Sequence, residues 1–393
     1  MEELASHRQQ EQGDDRDVSF VVFSDDWGRH PSSCEHIFRR IVGTHRVVWV
    51  NTMGFRAPNF SLADLRRSAN KIQSWFRKPD ATVAEPLPPN LEVFSPLILP
   101  FPGNRACDSF NARSMANPVK HALQKFAGDD VRLVTSLPNL GGVFRQFPNL
   151  RRYYYCVDDF LQWPGANPAV VGAMESELIE HCDAAIVTAR SLQDKFDRSP
   201  IEPEYLGHGV DCGHFDGLAR ERAADRPLIG FFGEVRDWFA SDLIEAAATQ
   251  HPDWDFEIIG RIQIDVSVLE ALPNVRFTGP VPYPDLPRAA ARFDVGLIPY
   301  RLTSLTRAIN PLKGLEYLAL GLPVVATPLP ALDDLGDLIL RADEPGSFVN
   351  AIERALADDG PGLREKRLAC ARGHDWEEVA GRFLELVGEG APA

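Results

Sequence analysis

The chain has 393 residues, enough for two domains with sizeable cores. A content of 44% hydrophobic and 25% charged residues is ordinary for a globular protein. The net charge of −15 argues against a nucleic-acid surface. The six cysteines show no CxxC spacing, so they read as reduced thiols and give no zinc site.

Residues 1–16 are polar and mostly acidic, which reads as a disordered tail and not a secretory signal. No apolar run approaches the length that crosses a bilayer. The expected location is therefore cytoplasmic. Val18–Phe23 is an apolar run fit for a buried first strand. A polar loop follows, then a helix about Cys34–Val42 and a strand at Arg46–Val50. That order opens a doubly wound sheet, in which ligands sit outside the carboxyl ends of the strands. Gly28, in the first loop, is thus a candidate binding position. Asp25 and Asp26 read equally as acceptor-binding or as turn residues. The loop is not GxGxxG, so a nicotinamide cofactor gets no support.

Leu62–Lys78 reverses the local charge. Leu62, Leu65, Ala69, Ile72 and Phe76 recur at helical spacing, and Arg66, Arg67, Lys71, Arg77 and Lys78 are basic. Such a helix can lie on an anionic membrane surface, which would make the protein peripheral on the inner face. The alternative is a helix packed on the sheet with its basic face solvated. Seven prolines from Pro79 to Pro102 suggest an extended, irregular connection.

Asn111–Ala127 reads as a helix and Val131–Leu137 as a strand. Tyr153–Val157 is a further strand with Asp158 and Asp159 at its carboxyl end. A carboxylate there can take a proton from an acceptor hydroxyl, which makes Asp158 the catalytic candidate. The alternative is an ordinary turn or N-cap residue. Asn167–His181 reads as a helix and Ala184–Thr188 as a strand.

A second run of strands and helices begins at Pro227. Its first strand ends in Gly233, where a phosphate can approach the backbone closely. Arg236 lies just beyond, and Arg261 ends the strand Phe256–Gly260. Each is a candidate ligand contact or an exposed loop arginine. Asp253-Trp-Asp255 spells DxD but precedes a strand, so it reads as turn chemistry. Tyr283–Arg292 reads as a helix and Val295–Tyr300 as a strand.

Residues 306–328 then read as loop, helix, turn and buried strand. Asn310 suits an N-cap and Pro311 the first helical position. Gly321 suits the left-handed residue past the helix, and Pro323 blocks its continuation. Leu312, Leu315 and Ala319 share the expected core face, and Lys313, Glu316 and Tyr317 fall elsewhere. Lys313 near the positive end of a helix is mildly unfavourable unless an anion is shared with it. The bland reading is a surface Lys–Glu pair.

The run Asn310-Pro-Leu-Lys313-x-x-Glu316-Tyr-Leu-Ala-x-Gly321-x-Pro323-Val-Val resembles the C-terminal signature of GT-B-fold glycosyltransferases. The likeness is to the family-4-like branch with teichuronic-acid and exopolysaccharide enzymes. It covers most of 150–387 and is most specific over 295–328. Tyr205–Phe215 also resembles a loop that closes the family's first domain, with His208 in place of asparagine. The resemblance implies an α/β protein of two Rossmann-like domains facing a central cleft. Domains 17–208 and 209–372 would bind acceptor and donor, and a helix at 373–388 would cross back. It implies that Glu316 holds the ribose of a nucleotide sugar. Arg236 and Lys313 would neutralise the diphosphate, and Arg307 and Asn310 would border the sugar or phosphate. Ala308 stands where many members have a further glutamate.

The expected function is transfer of a sugar from a nucleotide diphosphate to a glycan or lipid-linked carrier, in cell-surface polysaccharide synthesis. The expected chemistry is retaining, with no metal and no cofactor. The donor is a UDP-sugar by family frequency alone, and no nucleic acid is a partner. A nucleotide-sugar epimerase and a non-catalytic transferase-like scaffold are the competing readings.

Overall fold

The computed structural model describes residues 17–29, 32–52, 86–163, 165–215 and 226–388. The tail 1–16 and the basic stretch 62–78 fall outside them. Two compact units emerge. The first comprises residues 1–186, 195–204 and 387–393, and the second residues 187–194 and 205–386. Among the described residues no helix is long and apolar enough to cross a membrane.

The first unit is built on seven strands: β1 (Val18–Ser24), β2 (Arg46–Asn51), β3 (Leu91–Phe94), β4 (Asp130–Thr135), β5 (Arg151–Cys156), β6 (Ala184–Val187) and β7 (Glu204–Tyr205). Their order in the sheet is β3-β2-β1-β4-β5-β6-β7. β1 runs parallel to both β2 and β4. Phe20–Phe23 and Val47–Val50 are completely buried, as unbroken apolar runs at the centre of a parallel sheet must be. β3 lies inside the proline-rich stretch expected to be irregular. Its four residues pair with β2 between the prolines, where no ring removes a needed N–H.

The second unit holds β8 (Leu228–Phe232), β9 (Asp255–Ile259), β10 (Val275–Gly279), β11 (Val295–Ile298), β12 (Val324–Ala326) and β13 (Ile339–Arg341). The order is β10-β9-β8-β11-β12-β13, with every neighbouring pair parallel. Both sheets therefore reverse direction beside their first strand, between β1 and β4 and between β8 and β11. In open α/β sheets such switch points are where crevices form.

Several helix ends differ from expectation. The helix predicted from Asn111 starts at Arg105, because Asn104 accepts the N–H groups of Ala106 and Cys107. The predicted helix 283–292 divides into a 3-10 turn, Tyr283–Asp285, and a helix, Leu286–Ala290. Asn310 is not an N-cap and Pro311 is not helical. The helix begins at Lys313 with no side-chain cap, and the Asn310 amide donates to the Thr188 carbonyl at 2.9 Å. A long-range backbone acceptor outcompetes the local capping role. The other end follows the prediction. Gly321 has φ +71°, its N–H meets the Leu318 carbonyl, and the Leu322 N–H meets the Tyr317 carbonyl. That double bond pattern is a Schellman C-terminus.

Candidate functional site

The carboxyl edge of the second sheet is stripped of side chains where β8 and β9 end. Gly233 follows β8 with φ +142°, and Gly260 follows β9 with φ +148°. The Gly233 N–H donates to the Ile259 carbonyl, and the Gly260 N–H to the Gly279 carbonyl. A Cβ on Gly260 would stand 1.8 Å from the Gly233 carbonyl oxygen. A Cβ on Gly233 would stand 2.3 Å from Lys313 Cε and 2.9 Å from its Nζ. Glycine is thus required twice, by backbone conformation and by space.

Lys313, the first residue of the helix Lys313–Ala319, lays its chain across Gly233. Burial pulls its pKa down, but the Tyr300 hydroxyl, Glu316 and Glu234 together outweigh it, and the net direction is up. Lys313 is therefore a cation at neutral pH. Burial pushes the Glu316 carboxyl up to about 7, against the opposing pull of the Lys313 ammonium. The site thus joins a fixed positive charge, bare strand ends and a carboxyl that titrates near neutrality. A phosphate can reach such a backbone, and its charge would meet an ammonium already in place.

The remaining candidates of this unit divide. Arg236 is half-buried, paired with Glu234 at 2.6 Å and held 5.5 Å from the Trp238 ring centre. The Val235 N–H donates to the Arg261 carbonyl, so the loops after β8 and β9 stay joined, while the Arg261 side chain is exposed. Arg307 is exposed on the helix Ser304–Ala308, whose start is a capping box of Thr303 and Thr306. Its carbonyl accepts from Ser191 Oγ. Arg307 and Asn310 are thus tied to residues 188–191. The DxD carboxylates lie at the amino end of β9, with Asp253 near His251 and Asp255 paired with Arg226 at 3.0 Å. His208 is buried, and desolvation lowers its pKa to about 4, so its ring is neutral.

Sequence reasoning overlooked Tyr300, Glu234 and Tyr317. Tyr300 sits two residues past β11, a position that the switch point itself would have flagged. Tyr317 was placed off the core face, yet it is fully buried. β8 and β11 pair only through Ile229–Val295 and Gly230–Gly296 before they separate. Beyond that point the Tyr317 hydroxyl accepts from the Phe232 N–H and donates to the Leu297 carbonyl, each at 3.2 Å. Gly296 leaves room for the ring, since a Cβ there would lie 2.6 Å from it.

In the first unit Asp158 follows β5. One oxygen accepts the Asp159 N–H and the other the Trp163 indole N–H, both at 2.8 Å. Burial raises its pKa. Both oxygens are therefore engaged locally. Asp159 joins a network in which Lys195 contacts Asp159 at 2.7 Å and Glu175 at 2.9 Å, and Tyr154 donates to Glu175. Gly28, φ +76°, donates its N–H to both oxygens of buried Glu35 at 3.1 and 3.2 Å. Arg39 holds the same carboxylate at 2.6 Å. The first loop is thus secured by its own helix.

Residues 226–358 match the family model described as glycosyl transferases group 1. That matched stretch contains both glycine-ended strands, Lys313 and Glu316. The chain is 29% identical over 238 residues to a Bacillus subtilis protein named as a teichuronic acid biosynthesis glycosyltransferase, covering 56% of this chain and 60% of that one. It is 26% identical over 228 residues to a phosphatidyl-myo-inositol mannosyltransferase of Propionibacterium freudenreichii, covering 53% and 57%. The chain thus spans about 60% of the length of such relatives. Among solved structures, sucrose-phosphate synthase from Thermosynechococcus elongatus superposes with a TM-score of 0.66 at 16% identity, over 94% of this chain and 98% of that one. An Anabaena protein solved with UDP and glucose gives 0.62 at 13% identity, over 94% and 99%. These structural likenesses show the GT-B fold.

Proposed function

We propose that the protein transfers a sugar from a nucleoside diphosphate to a hydroxyl of a glycan or lipid-linked carrier. One observation carries this reading: the Lys313 ammonium is held against Gly233 at the switch point of the second sheet. A diphosphate brought to the bare end of β8 meets that cation directly. As the bond to the sugar breaks, negative charge grows on the leaving phosphate, and a preplaced ammonium stabilises it without reorganisation. Arg236, released from Glu234, would add a second cation. Glu316 would accept hydrogen bonds from the ribose hydroxyls, and Arg261 lies where a base would extend. Arg307 and Asn310 would border the sugar.

This route uses no metal step, and retention of the anomeric configuration fits it, since no strict general base is then required. Asp158, with both oxygens occupied, serves more simply as an orienting group than as a base. A uracil base is supported by the structural neighbour solved with UDP. A role in surface polysaccharide synthesis is supported by the teichuronic acid relative.

The test is calorimetric titration of UDP, GDP and dTDP, with and without magnesium, into the wild type and Glu316→Ala. Saturable binding of one nucleotide, unchanged by magnesium and lost in Glu316→Ala, is expected. Folded protein that binds none of the three would overturn the donor site.

A further inference from the structure

A cavity among the described residues of the first unit has no part in the site above. It measures about 420 Å³ and lies between the first turns of the helix Arg105–Lys125, the segment 139–145 and the helix Pro168–His181. Ligand pockets for small organic molecules run from about 300 to 1,000 Å³.

Its chemistry is balanced. Arg105 and Arg145 bring two guanidinium groups, and Asp108 and Glu177 bring two carboxylates. The formal charges cancel. Arg145 and Glu177 stand 3.1 Å apart, both partly exposed. Asp108 is half-buried, and burial together with the Glu177 charge raises its pKa. Beneath these groups Leu99, Met115 and Met174 supply an apolar floor. Asn111 is not a free ligand group, because its amide bonds both the N–H and the carbonyl of Leu99 and fixes that floor.

An anion is disfavoured here by two carboxylates, and a cation by two guanidinium groups. An apolar ligand would cover the half-buried Asp108 carboxyl without offering it a donor. What fits is a neutral molecule that donates and accepts at neighbouring positions and has an apolar face. A sugar ring does this: adjacent hydroxyls bridge a guanidinium and a carboxylate, and the C–H face covers aliphatic side chains. The exposed rings of Phe101 and Phe110 adjoin the lining in sequence and offer further apolar surface.

We infer that this cavity is a binding site for a neutral saccharide, separate from the nucleotide site. The inference deepens the transferase reading, since the saccharide would be part of the acceptor. Its test is made without a nucleotide, so the two can fail independently.

Maltose, cellobiose, lactose and N,N′-diacetylchitobiose are titrated into the intact protein by ligand-observed NMR. Glucuronic acid and inorganic phosphate serve as charged comparisons. Saturable binding of at least one neutral sugar is expected, with the charged probes weaker. Asp108→Asn is expected to weaken it about tenfold, the worth of one charge-assisted hydrogen bond. Met174→Trp, which fills the floor, is expected to abolish it. Circular dichroism and the urea unfolding midpoint show whether each variant is folded. Binding of none of the four neutral sugars overturns the inference. So does binding that both folded variants leave unchanged, or tighter binding of phosphate.

Discussion

The two sheets share one strand order and yet end differently at their switch points. In the first, the ends of β1 and β4 are closed by their own polar side chains. Ser24 and Ser136 hydroxyls meet at 2.7 Å, and Thr52 donates to the Ser24 carbonyl. The Cys34 thiol is sealed among them, and its burial pushes the pKa up to about 12. In the second, β8 is followed by Gly233 and its other neighbour, β9, by Gly260, and the side chain nearest to Gly233 is a lysine from a later helix. Topology makes a crevice available in both. Residue choice at the strand ends decides whether it is filled or left for a ligand.

This contrast can be broken or sharpened by substitution. The largest effect is expected from Gly260→Ala. Its Cβ would overlap the Gly233 carbonyl, and backbone strain and overpacking each cost about 1–3 kcal/mol. Urea unfolding should show a loss of roughly 2–6 kcal/mol, together with loss of nucleotide binding. An unchanged midpoint would mean that the strand ends are not closely apposed.

Next comes Lys313→Ala. Removal of a charge-assisted contact should weaken nucleotide binding about tenfold to a hundredfold by calorimetry, with a smaller loss at high salt. Stability should change little. A folded variant with wild-type affinity would remove Lys313 from the site.

Glu316→Gln should act through pH. The folded-state pKa of about 7 lies above the ordinary 4.5, so the folded protein holds this proton when the unfolded chain has lost it. Stability without ligand should therefore fall as pH rises from about 4.5 to 7, and then level. Nucleotide affinity should move the other way, rising through pH 7 as the carboxylate forms and accepts from ribose. Both slopes should flatten in Glu316→Gln, measured as Tm and Kd at pH 5, 6, 7 and 8. Persistence of the wild-type slopes would assign them to another group.

The smallest effect is expected at the filled switch point. Ser24→Ala leaves the Ser136 hydroxyl in need of a partner, at a cost of about 1 kcal/mol in urea unfolding, with nucleotide binding unchanged. A loss of nucleotide binding in this variant would erase the distinction between the two crevices.

Much of the fold was legible because its signals are local. Apolar runs marked β1, β2, β8 and β11, and Asn167 and Gly321 marked helix ends through bonds to near neighbours. The misreadings have non-local causes. Asn310 has good capping chemistry, but its amide is taken by Thr188, 122 positions away. β3 was hidden because prolines dominate its surroundings, although none falls within it. The helix Pro361–Arg372 went unread, since mostly exposed positions leave it little apolar periodicity. At the site, Lys313 and Glu316 stand out through their spacing together with the resemblance to the family signature. The meeting of Lys313 with Gly233 depends on strand order, which no local pattern encodes. Asp158 stood at the expected strand end, but the Trp163 indole that occupies it lies in the next turn and gave no signal.

Tyr317 has a consequence for how this protein would be watched at work. The Phe232 amide is held by a side-chain hydroxyl from the helix Lys313–Ala319 and not by a neighbouring strand. Its deuterium uptake therefore tracks the seating of that helix and not the integrity of the sheet. One amide signal would register each departure of Lys313's helix from β8, while the amides of Ile229 and Phe231 stayed protected within the same strand. The Phe232 amide is thus a backbone reporter of how that helix is seated, readable without an attached probe.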